Sequence, residues 1–118
     1  MADNKKSGDE GEELAARTLS EKDYKIIERN YRYGHGEIDI IAKDGETLVF
    51  VEVKTRKNLQ FGMPEYAVTP TKQRQIKKIA EAYLYEKKIT DTDCRMDVVA
   101  ILLKKGEKPY INHIENAF

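Results

Sequence analysis

The chain has 118 residues, of which 40% are hydrophobic and 36% are charged, which is the size and composition of one small globular domain. This composition excludes the collagen-like, disulfide-rich and membrane-spanning classes of protein. Lys plus Arg and Asp plus Glu number 21 each, so the formal charge of +0 argues against a partner that is held by bulk electrostatics alone.

Cysteine content and the start of the chain indicate the compartment. Cys94 is the only cysteine, so no disulfide can form within the chain, and the cytoplasm is the expected location. We predict that Cys94 is a small buried hydrophobic residue. The start of the chain has no apolar signal segment, and no apolar run approaches the roughly 18 residues that would span a membrane. Residues 1–118 are therefore predicted to form a single domain, in which residues 1–6 are a flexible terminus.

The first half of the chain predicts a helix and three strands. Residues 9–21 are rich in Glu, Ala and Leu and carry apolar residues on one side at helical spacing, which predicts an amphipathic helix. Residues 24–32 and 38–42 are β-prone, and residues 47–55 form a third such stretch after an Asp-Gly turn. Because this dipeptide is typical of tight hairpin turns, the second and third strands are predicted to be antiparallel neighbours.

The second half predicts a loop, a helix and two strands. Residues 58–69 contain glycine and proline and have no sustained period, so they are predicted to form a long loop. A helix is expected to begin at Pro70, after the candidate N-cap Thr69, because apolar residues then recur at helical spacing. Residues 96–103 are a nearly continuous apolar run, typical of a strand covered on both faces, and residues 110–114 predict a weaker final strand.

The predicted order of elements is α-β-β-β-α-β-β. Three antiparallel strands followed by a helical crossover to a further strand give an α/β domain with a mixed central sheet flanked by helices. The crossover is expected to be right-handed. No internal repeat divides the sequence.

Charged residues interrupt the predicted third strand. Glu52 and Lys54 project from one face of this strand, while Val51 and Val53 point to the opposite face, which is the predicted core. A carboxylate and an ammonium in the middle of a valine-rich strand have a large desolvation cost unless they pair, bind a metal or line a cleft. Their position therefore indicates a site.

Asp39 lies on the strand that the hairpin places beside Glu52. The two carboxylates can converge, and with a strand carbonyl such as that of Val53 and several waters they would suit Mg²⁺ or Mn²⁺. Zinc is disfavoured, because its structural sites use Cys and His, and the chain has one Cys and two His without ligand spacing. A bound Mg²⁺ acidifies a water and stabilises the charge that develops on a phosphodiester, and Lys54 could orient that water. Gln73 is predicted to point from the second helix towards the sheet, where it could bind a phosphate or the attacking water.

At these residues the sequence resembles a known family. The segments GEIDIIAKDGETLVFVEVKTR, FGMPEYAVTPTKQRQI and DVVAI and the terminal NAF are similar to the YraN-like family of uncharacterised bacterial proteins, over residues 8–118. That family is similar in turn to the PD-(D/E)XK nuclease superfamily, especially to archaeal Holliday-junction resolvases. The resemblance implies a restriction-endonuclease-like core made of a helix, three strands, a helix and a strand.

The resemblance also implies roles for individual residues. Asp39 matches the metal-binding aspartate of the superfamily, Glu52 and Lys54 match its E-x-K pair, and Glu12 matches the glutamate of its first helix. Ile38 occupies the position of the proline in the PD-(D/E)XK motif that gives the superfamily its name. The implied function is a Mg²⁺- or Mn²⁺-dependent endonuclease that acts on DNA, with branched or repair intermediates as substrates. Two such sites on a homodimer would suit a symmetric junction.

Each candidate residue also has a simpler structural interpretation. A lone E-x-K on a strand is usually a surface ion pair. Glu12 has neighbouring glutamates in the first helical turn, where the helix dipole favours carboxylates without any chemistry. Glu37 is predicted to be solvated, and Asp97 is predicted to pair with Arg95 rather than to bind a metal. Gln73 is equally well explained as an ordinary polar residue of a first turn.

Positive charge gathers in the middle of the chain. The candidate nucleic-acid-binding cations are Arg56, Lys57, Lys72, Arg74 and Lys77. A solvated helix face is the alternative explanation for part of this group. Tyr66, Tyr83 and Tyr85 are predicted to be packing residues rather than platforms for stacked bases.

Three functions stay open at this point. The first is the metal-dependent nuclease, with DNA favoured over RNA, and the second is a nucleic-acid-binding module that keeps the fold but does not cleave. The third is an interaction domain for a protein partner. Loss of turnover in Asp39→Ala with retained binding would separate the first two.

Overall fold

A five-stranded sheet with one helix on each side forms the fold. The computed structural model describes the backbone of residues 2–118 and the side chains of residues 8–118. In chain order the elements are α1 (Ala2–Glu21), β1 (Lys25–Tyr33), β2 (Gly36–Asp44), β3 (Thr47–Arg56), a short 3₁₀ helix (Pro64–Ala67), α2 (Pro70–Glu86), β4 (Cys94–Leu102) and β5 (Tyr110–Ile114).

The sheet is mixed, as the sequence predicts. Its strands lie in the order β1-β2-β3-β4-β5. All neighbouring strands are antiparallel except β3 and β4, which are parallel and are connected through α2. Gly45, with φ of 61°, occupies the left-handed position in the turn of the β2-β3 hairpin. This α/β arrangement is consistent with a restriction-endonuclease-like fold.

Each helix covers its own face of the sheet. On the α1 face, Ala15 and Leu19 pack with alternate residues of β3, among them Val51 and Val53. On the α2 face, Ile76 and Ile79 pack with Phe50 and with other residues of that face, such as Leu48 and Ile41. Because side chains alternate along a strand, Glu52 and Lys54 lie on the α2 face of β3. The sheet therefore presents these two charged residues beneath the start of α2.

Helix α1 approaches the sheet most closely at Gly11. A Cβ atom built on Gly11 would collide with the Thr55 hydroxyl oxygen and would lie 3.1 Å from the Thr55 Cβ. Rotation of the threonine side chain does not move its own Cβ, so the backbone itself would have to shift. Glycine at this position therefore holds Glu12, the next residue of the helix, against the end of β3.

Substitution of Gly11 is expected to destabilise the fold. Gly11→Ala should lower the free energy of unfolding by roughly 1–3 kcal/mol through overpacking. Gly8→Ala is the matched control, because no described atom lies within 4 Å of a Cβ built on Gly8. Alanine is a better helix former than glycine, so the free energy of unfolding of Gly8→Ala should rise by up to about 1 kcal/mol. Urea denaturation measures both, and equal stabilisation of the two variants would refute the close contact.

The first helix begins earlier than its sequence pattern predicts. It starts at Ala2 instead of residue 9; residues 2–7 contain no proline that would end it. Met1 and the side chains of residues 2–7 lie outside the described part of the structure. The flexible terminus over residues 1–6 therefore stays a prediction. Within residues 2–118, no helix has both the length and the apolar character that a membrane crossing requires.

Three burial predictions are wrong. Cys94 is exposed, because it opens β4 at the edge of the core, before the strand becomes buried. Tyr66 and Tyr85 are 81% and 89% exposed, since they lie on the outer sides of the 3₁₀ helix and of α2. Tyr83 does pack in the core, where its ring makes edge-to-face contacts with Tyr31 and Phe50.

Candidate active site

Strands β2 and β3 stop pairing where their acidic residues begin. The register between these strands ends at the pair Ile40 and Val51. Beyond this pair, the N–H of Val53 donates to Oδ2 of Asp39 at 2.8 Å. A side-chain carboxylate thus occupies the place of a strand carbonyl. This bond fixes Asp39 in a buried position, with 8% of the residue exposed.

Glu52 is the second buried carboxylate of the site. It is 4% exposed, and its Oε1 lies 3.6 Å from the Lys54 ammonium and 4.0 Å from the Lys72 ammonium. Its Oε2 is buried and has no hydrogen-bond partner among the described residues. An unpartnered buried carboxylate oxygen is costly. Glu52 therefore holds one oxygen between two cations and leaves the other for a further ligand.

The two carboxylates disfavour each other's charge. Burial raises the pKa of Asp39 to about 7, and the negative charge of Glu52 adds to this effect, while the Val53 N–H opposes it. Burial also raises the pKa of Glu52, against the opposing effects of Lys72 and Lys54. Paired buried acids of this kind are stabilised by a bound cation and are typical of functional sites.

Two further glutamates lie close enough to affect Asp39. The charges of Glu12 and Glu37 both raise the pKa of Asp39, after the larger effects of burial and Glu52. Glu12 accepts a hydrogen bond of 2.9 Å from the Asn30 side-chain amide. Glu37 was expected to be solvated, but its side chain is only 34% exposed and lies 3.5 Å from Arg32. Glu37 is the second residue of β2 and lines a cavity with Lys72 of α2, which accounts for the difference.

The start of α2 contributes a lysine to the site. The Thr69 hydroxyl accepts the Lys72 N–H at 3.3 Å and Pro70 follows at the first helical position, so the helix begins as its sequence predicts. This start brings the Lys72 ammonium to Glu52. The amide of Gln73 instead donates to the Val68 carbonyl at 3.1 Å, so its side chain secures the loop before α2.

The remaining candidate cations form two groups. Arg56 and Lys57 lie at the end of β3 and line a cavity together with Glu12 and Lys54. Arg74 and Lys77 lie on the exposed face of α2; Arg74 donates to the Thr71 hydroxyl, and Lys77 lies 5.8 Å from the Phe118 ring centre. The structure thus places the first group beside the acidic residues and the second on the outer surface.

The donor set fits a magnesium-type ion. Among the side chains of residues 8–118, no three His, Cys, Asp or Glu side chains are grouped closely enough to enclose a metal by themselves. Mg²⁺, however, is commonly held by one or two carboxylates and keeps several waters. The free Oε2 of Glu52 and the remaining oxygen of Asp39 match this requirement. Asp39 and Glu52 are therefore the residues that would hold Mg²⁺ or Mn²⁺.

Asp97 belongs to a separate buried network. Its fully buried carboxylate accepts two bonds from Arg95, at 2.9 and 3.1 Å, and one of 3.0 Å from the Asn116 N–H. His113 Nε2 lies 2.7 Å from it. Because the Lys22 ammonium can only donate to Nδ1 of His113, Nε2 carries the proton that Asp97 accepts. The predicted pairing of Asp97 with Arg95 is confirmed, and this aspartate is structural.

Comparison with known proteins gives matches over nearly the whole chain. The model of a family described as "Uncharacterised protein family UPF0102" matches residues 11–101. Three similar proteins, each called a UPF0102 protein, come from Geotalea daltonii, Geobacter sulfurreducens and Rhodococcus opacus. They are 55%, 53% and 48% identical to this chain, over 98%, 98% and 100% of it and over 91%, 90% and 100% of their own lengths. The span matched by the family model includes every residue of the acidic site.

Proposed function

We propose that this chain, which belongs to the uncharacterised protein family UPF0102, the YraN family that its sequence resembles, is a Mg²⁺- or Mn²⁺-dependent endonuclease. It would hydrolyse phosphodiester bonds in DNA. One observation carries this proposal. Asp39 and Glu52 are buried on neighbouring strands, close enough for the charge of Glu52 to raise the pKa of Asp39, and Glu52 has an unpartnered Oε2 and the Lys54 ammonium 3.6 Å from its Oε1. The restriction-endonuclease-like fold supports the proposal but does not by itself establish an activity.

The residues of the site divide the chemistry among them. A bound Mg²⁺ or Mn²⁺ would lower the pKa of a water and offset charge on the phosphate. Asp39 and Glu52 would hold the ion, and the bond from the Val53 N–H keeps Asp39 in place. Lys54 orients the attacking water and, with Lys72, stabilises the added negative charge of the transition state. Glu12 is positioned by its bond from Asn30 and would accept a hydrogen bond from a water on the α1 side.

Further residues would position the DNA. Arg56, Lys57, Lys72, Arg74 and Lys77 contact its phosphates, so binding falls with rising salt. Gln73 contributes a phosphate contact when its amide turns away from the Val68 carbonyl. The proposed substrates are branched DNA or repair intermediates, and the proposed location is the cytoplasm. A homodimer would place two sites on a symmetric junction.

The experiment is a cleavage assay on a panel of labelled substrates. Single-stranded, duplex, flapped and four-way DNA and a single-stranded RNA are incubated with Mn²⁺ or with chelator, using wild type and Glu52→Gln. We expect wild type to cut DNA only with Mn²⁺, and the variant to lose at least about 100-fold in rate while still binding the substrate in chelator. Equal cutting by both proteins would overturn the assignment of the site.

A non-catalytic nucleic-acid-binding module is the second candidate. The observation that favours it is the small donor set, two carboxylates with no third metal-ligating side chain grouped with them in residues 8–118. The same assay separates the two functions. Salt-sensitive binding without cleavage of any substrate in Mn²⁺ by wild type would establish the binding module instead.

A further inference from the structure

A cavity of about 520 Å³ opens directly beside the acidic site. It lies between the middle of α1 and the end of β3, and its lining includes Glu12, Lys54, Arg56, Lys57, Asn58 and Phe61. Glu12 and Lys54 belong to the candidate active site as well, so the cavity and the site are continuous. A group bound in the cavity would therefore lie next to the reacting phosphate.

The lining of this cavity favours an anion. Lys54, Arg56 and Lys57 contribute three positive charges, against the single carboxylate of Glu12 among the described lining residues. The Nε atom of Arg56 is buried and, within residues 8–118, has no hydrogen-bond acceptor. A guanidinium with an unused donor is suited to a phosphate oxygen. The charge and the unused donor both indicate a phosphate of the substrate.

The loop after β3 presents an aromatic ring to the same cavity. Phe61 is 80% exposed. It occupies a turn in which the Gly62 N–H donates to the Leu59 carbonyl at 3.0 Å, and Gly62 itself has φ of 89°. The Asn58 side chain closes the start of the turn by accepting the Gln60 N–H at 2.9 Å. The turn thus holds a large apolar face in water, at the edge of a cationic cavity.

We propose that this cavity binds one unpaired nucleotide of a DNA strand, with its phosphate on Arg56 and Lys57 and its base stacked on Phe61. Aromatic side chains beside cationic grooves are the usual means of holding single-stranded bases. In a continuous duplex both faces of a base are covered by its neighbours, so Phe61 can stack only on a base that has left the helix. The inference rests on the proposed function and deepens it, since it names DNA with unpaired nucleotides beside the scissile bond as the substrate class.

The chain contains no tryptophan, which permits a direct test in chelator, where no cleavage occurs. Phe61→Trp places a single fluorescent indole at the cavity, and Tyr85→Trp places one near the far end of α2 as the matched control. Tyr85 is equally exposed and is not part of the proposed site. Each variant is titrated with single-stranded DNA, with a blunt duplex of the same sequence and with deoxyadenosine monophosphate.

We expect single-stranded DNA to quench the Phe61→Trp emission, with little effect from the duplex and none on Tyr85→Trp. Phe61→Ala should weaken single-strand binding roughly 5- to 150-fold and change duplex binding by no more than about twofold. Equal quenching by the duplex, or unchanged single-strand affinity of Phe61→Ala, would overturn the proposal. Quenching by the mononucleotide at the same concentration as the DNA would overturn it in favour of a free-nucleotide site.

The outcome of this test is independent of catalysis. Quenching by single strands in a protein that does not cut any substrate would support the cavity proposal and contradict the nuclease. Cleavage by wild type without quenching in Phe61→Trp would leave the nuclease standing and overturn the cavity proposal.

Discussion

Asp39→Asn is expected to raise the melting temperature of the metal-free protein at pH 8. The Asn side-chain oxygen can still accept the Val53 N–H, while the charge that burial and Glu52 oppose is removed. The pKa of Asp39 rises from 3.8 to about 7 on folding, so its contribution to stability is complete below about pH 4 and is lost as the pH rises through 7. The variant should therefore gain up to about 4 kcal/mol over wild type above pH 7, and little below pH 4.

Addition of Mn²⁺ is expected to reverse the order of the two melting temperatures, so that wild type melts above Asp39→Asn. The proposed site would bind Mn²⁺ only in the folded wild type, so Mn²⁺ should raise the melting temperature of wild type with concentration, whereas Asp39→Asn should not respond. Asp39→Ala is the matched control, because it removes the acceptor as well as the charge. It leaves the Val53 N–H unpaired and should be about 1–3 kcal/mol less stable than Asp39→Asn. A metal-free Asp39→Asn that melts below wild type at pH 8, or that responds equally to Mn²⁺, would contradict the paired site.

Asp97→Ala is expected to be the most destabilising substitution in the chain. Removal of this buried carboxylate leaves the Arg95 Nε, His113 Nε2 and the Asn116 N–H without their acceptor, while Arg95 keeps its bonds to Asp44 and to the Tyr24 hydroxyl. Loss of one partner from a buried ionic network typically costs about 3–5 kcal/mol. The total stability of a domain is about 5–15 kcal/mol, so the variant is expected to unfold at much lower urea concentration.

The pH dependence of this network has the opposite sign to that of Asp39. Burial by itself would raise the pKa of Asp97, but the bonds from His113, Arg95 and the Asn116 N–H lower it. Its stabilising contribution is therefore present above the unfolded pKa near 4, and it is lost as the pH falls through the lowered folded value. Wild type should lose this contribution below pH 4, and the alanine variant has none to lose.

Two further variants keep this prediction testable. Asp97→Asn retains the shape of the side chain and should fold, with only part of the loss of stability expected for Asp97→Ala. Asp93→Asn, an exposed neighbour before β4, should stay within about 0.5 kcal/mol of wild type. Urea denaturation at neutral pH measures all three. If the Asp97 variants were as stable as Asp93→Asn, the network would not be structural.

The hairpin explains why much of the candidate site could be predicted from the sequence. The Asp-Gly turn sets the register of β2 against β3 as far as the pair Ile40 and Val51, and the next residues on the two strands are Asp39 and Glu52. Strand alternation then places Lys54 on the same face as Glu52. These inferences depend on local geometry, which sequence patterns encode directly.

Features that depend on tertiary packing could not be read in the same way. Lys72 reaches Glu52 only because α2 packs across β2 and β3, so the sequence indicated a cation there but not its partner. The bond from Val53 to Asp39 requires the strands to part, which no local pattern signals. His113 carries no sequence signal either, because its partners Asp97 and Lys22 are brought to it by the sheet.

The most direct test of the proposed catalytic metal site is the rate of Mn²⁺-dependent cleavage by wild type and Asp39→Asn in parallel. Both proteins are expected to be folded, so a difference in rate reports the site and not the stability of the domain. We expect wild type to cut a flapped DNA and the variant to be slower by about 100-fold or more, with binding in chelator retained. Cleavage at equal rates, or by neither protein, would contradict the assignment of Asp39 and Glu52 as a catalytic metal centre.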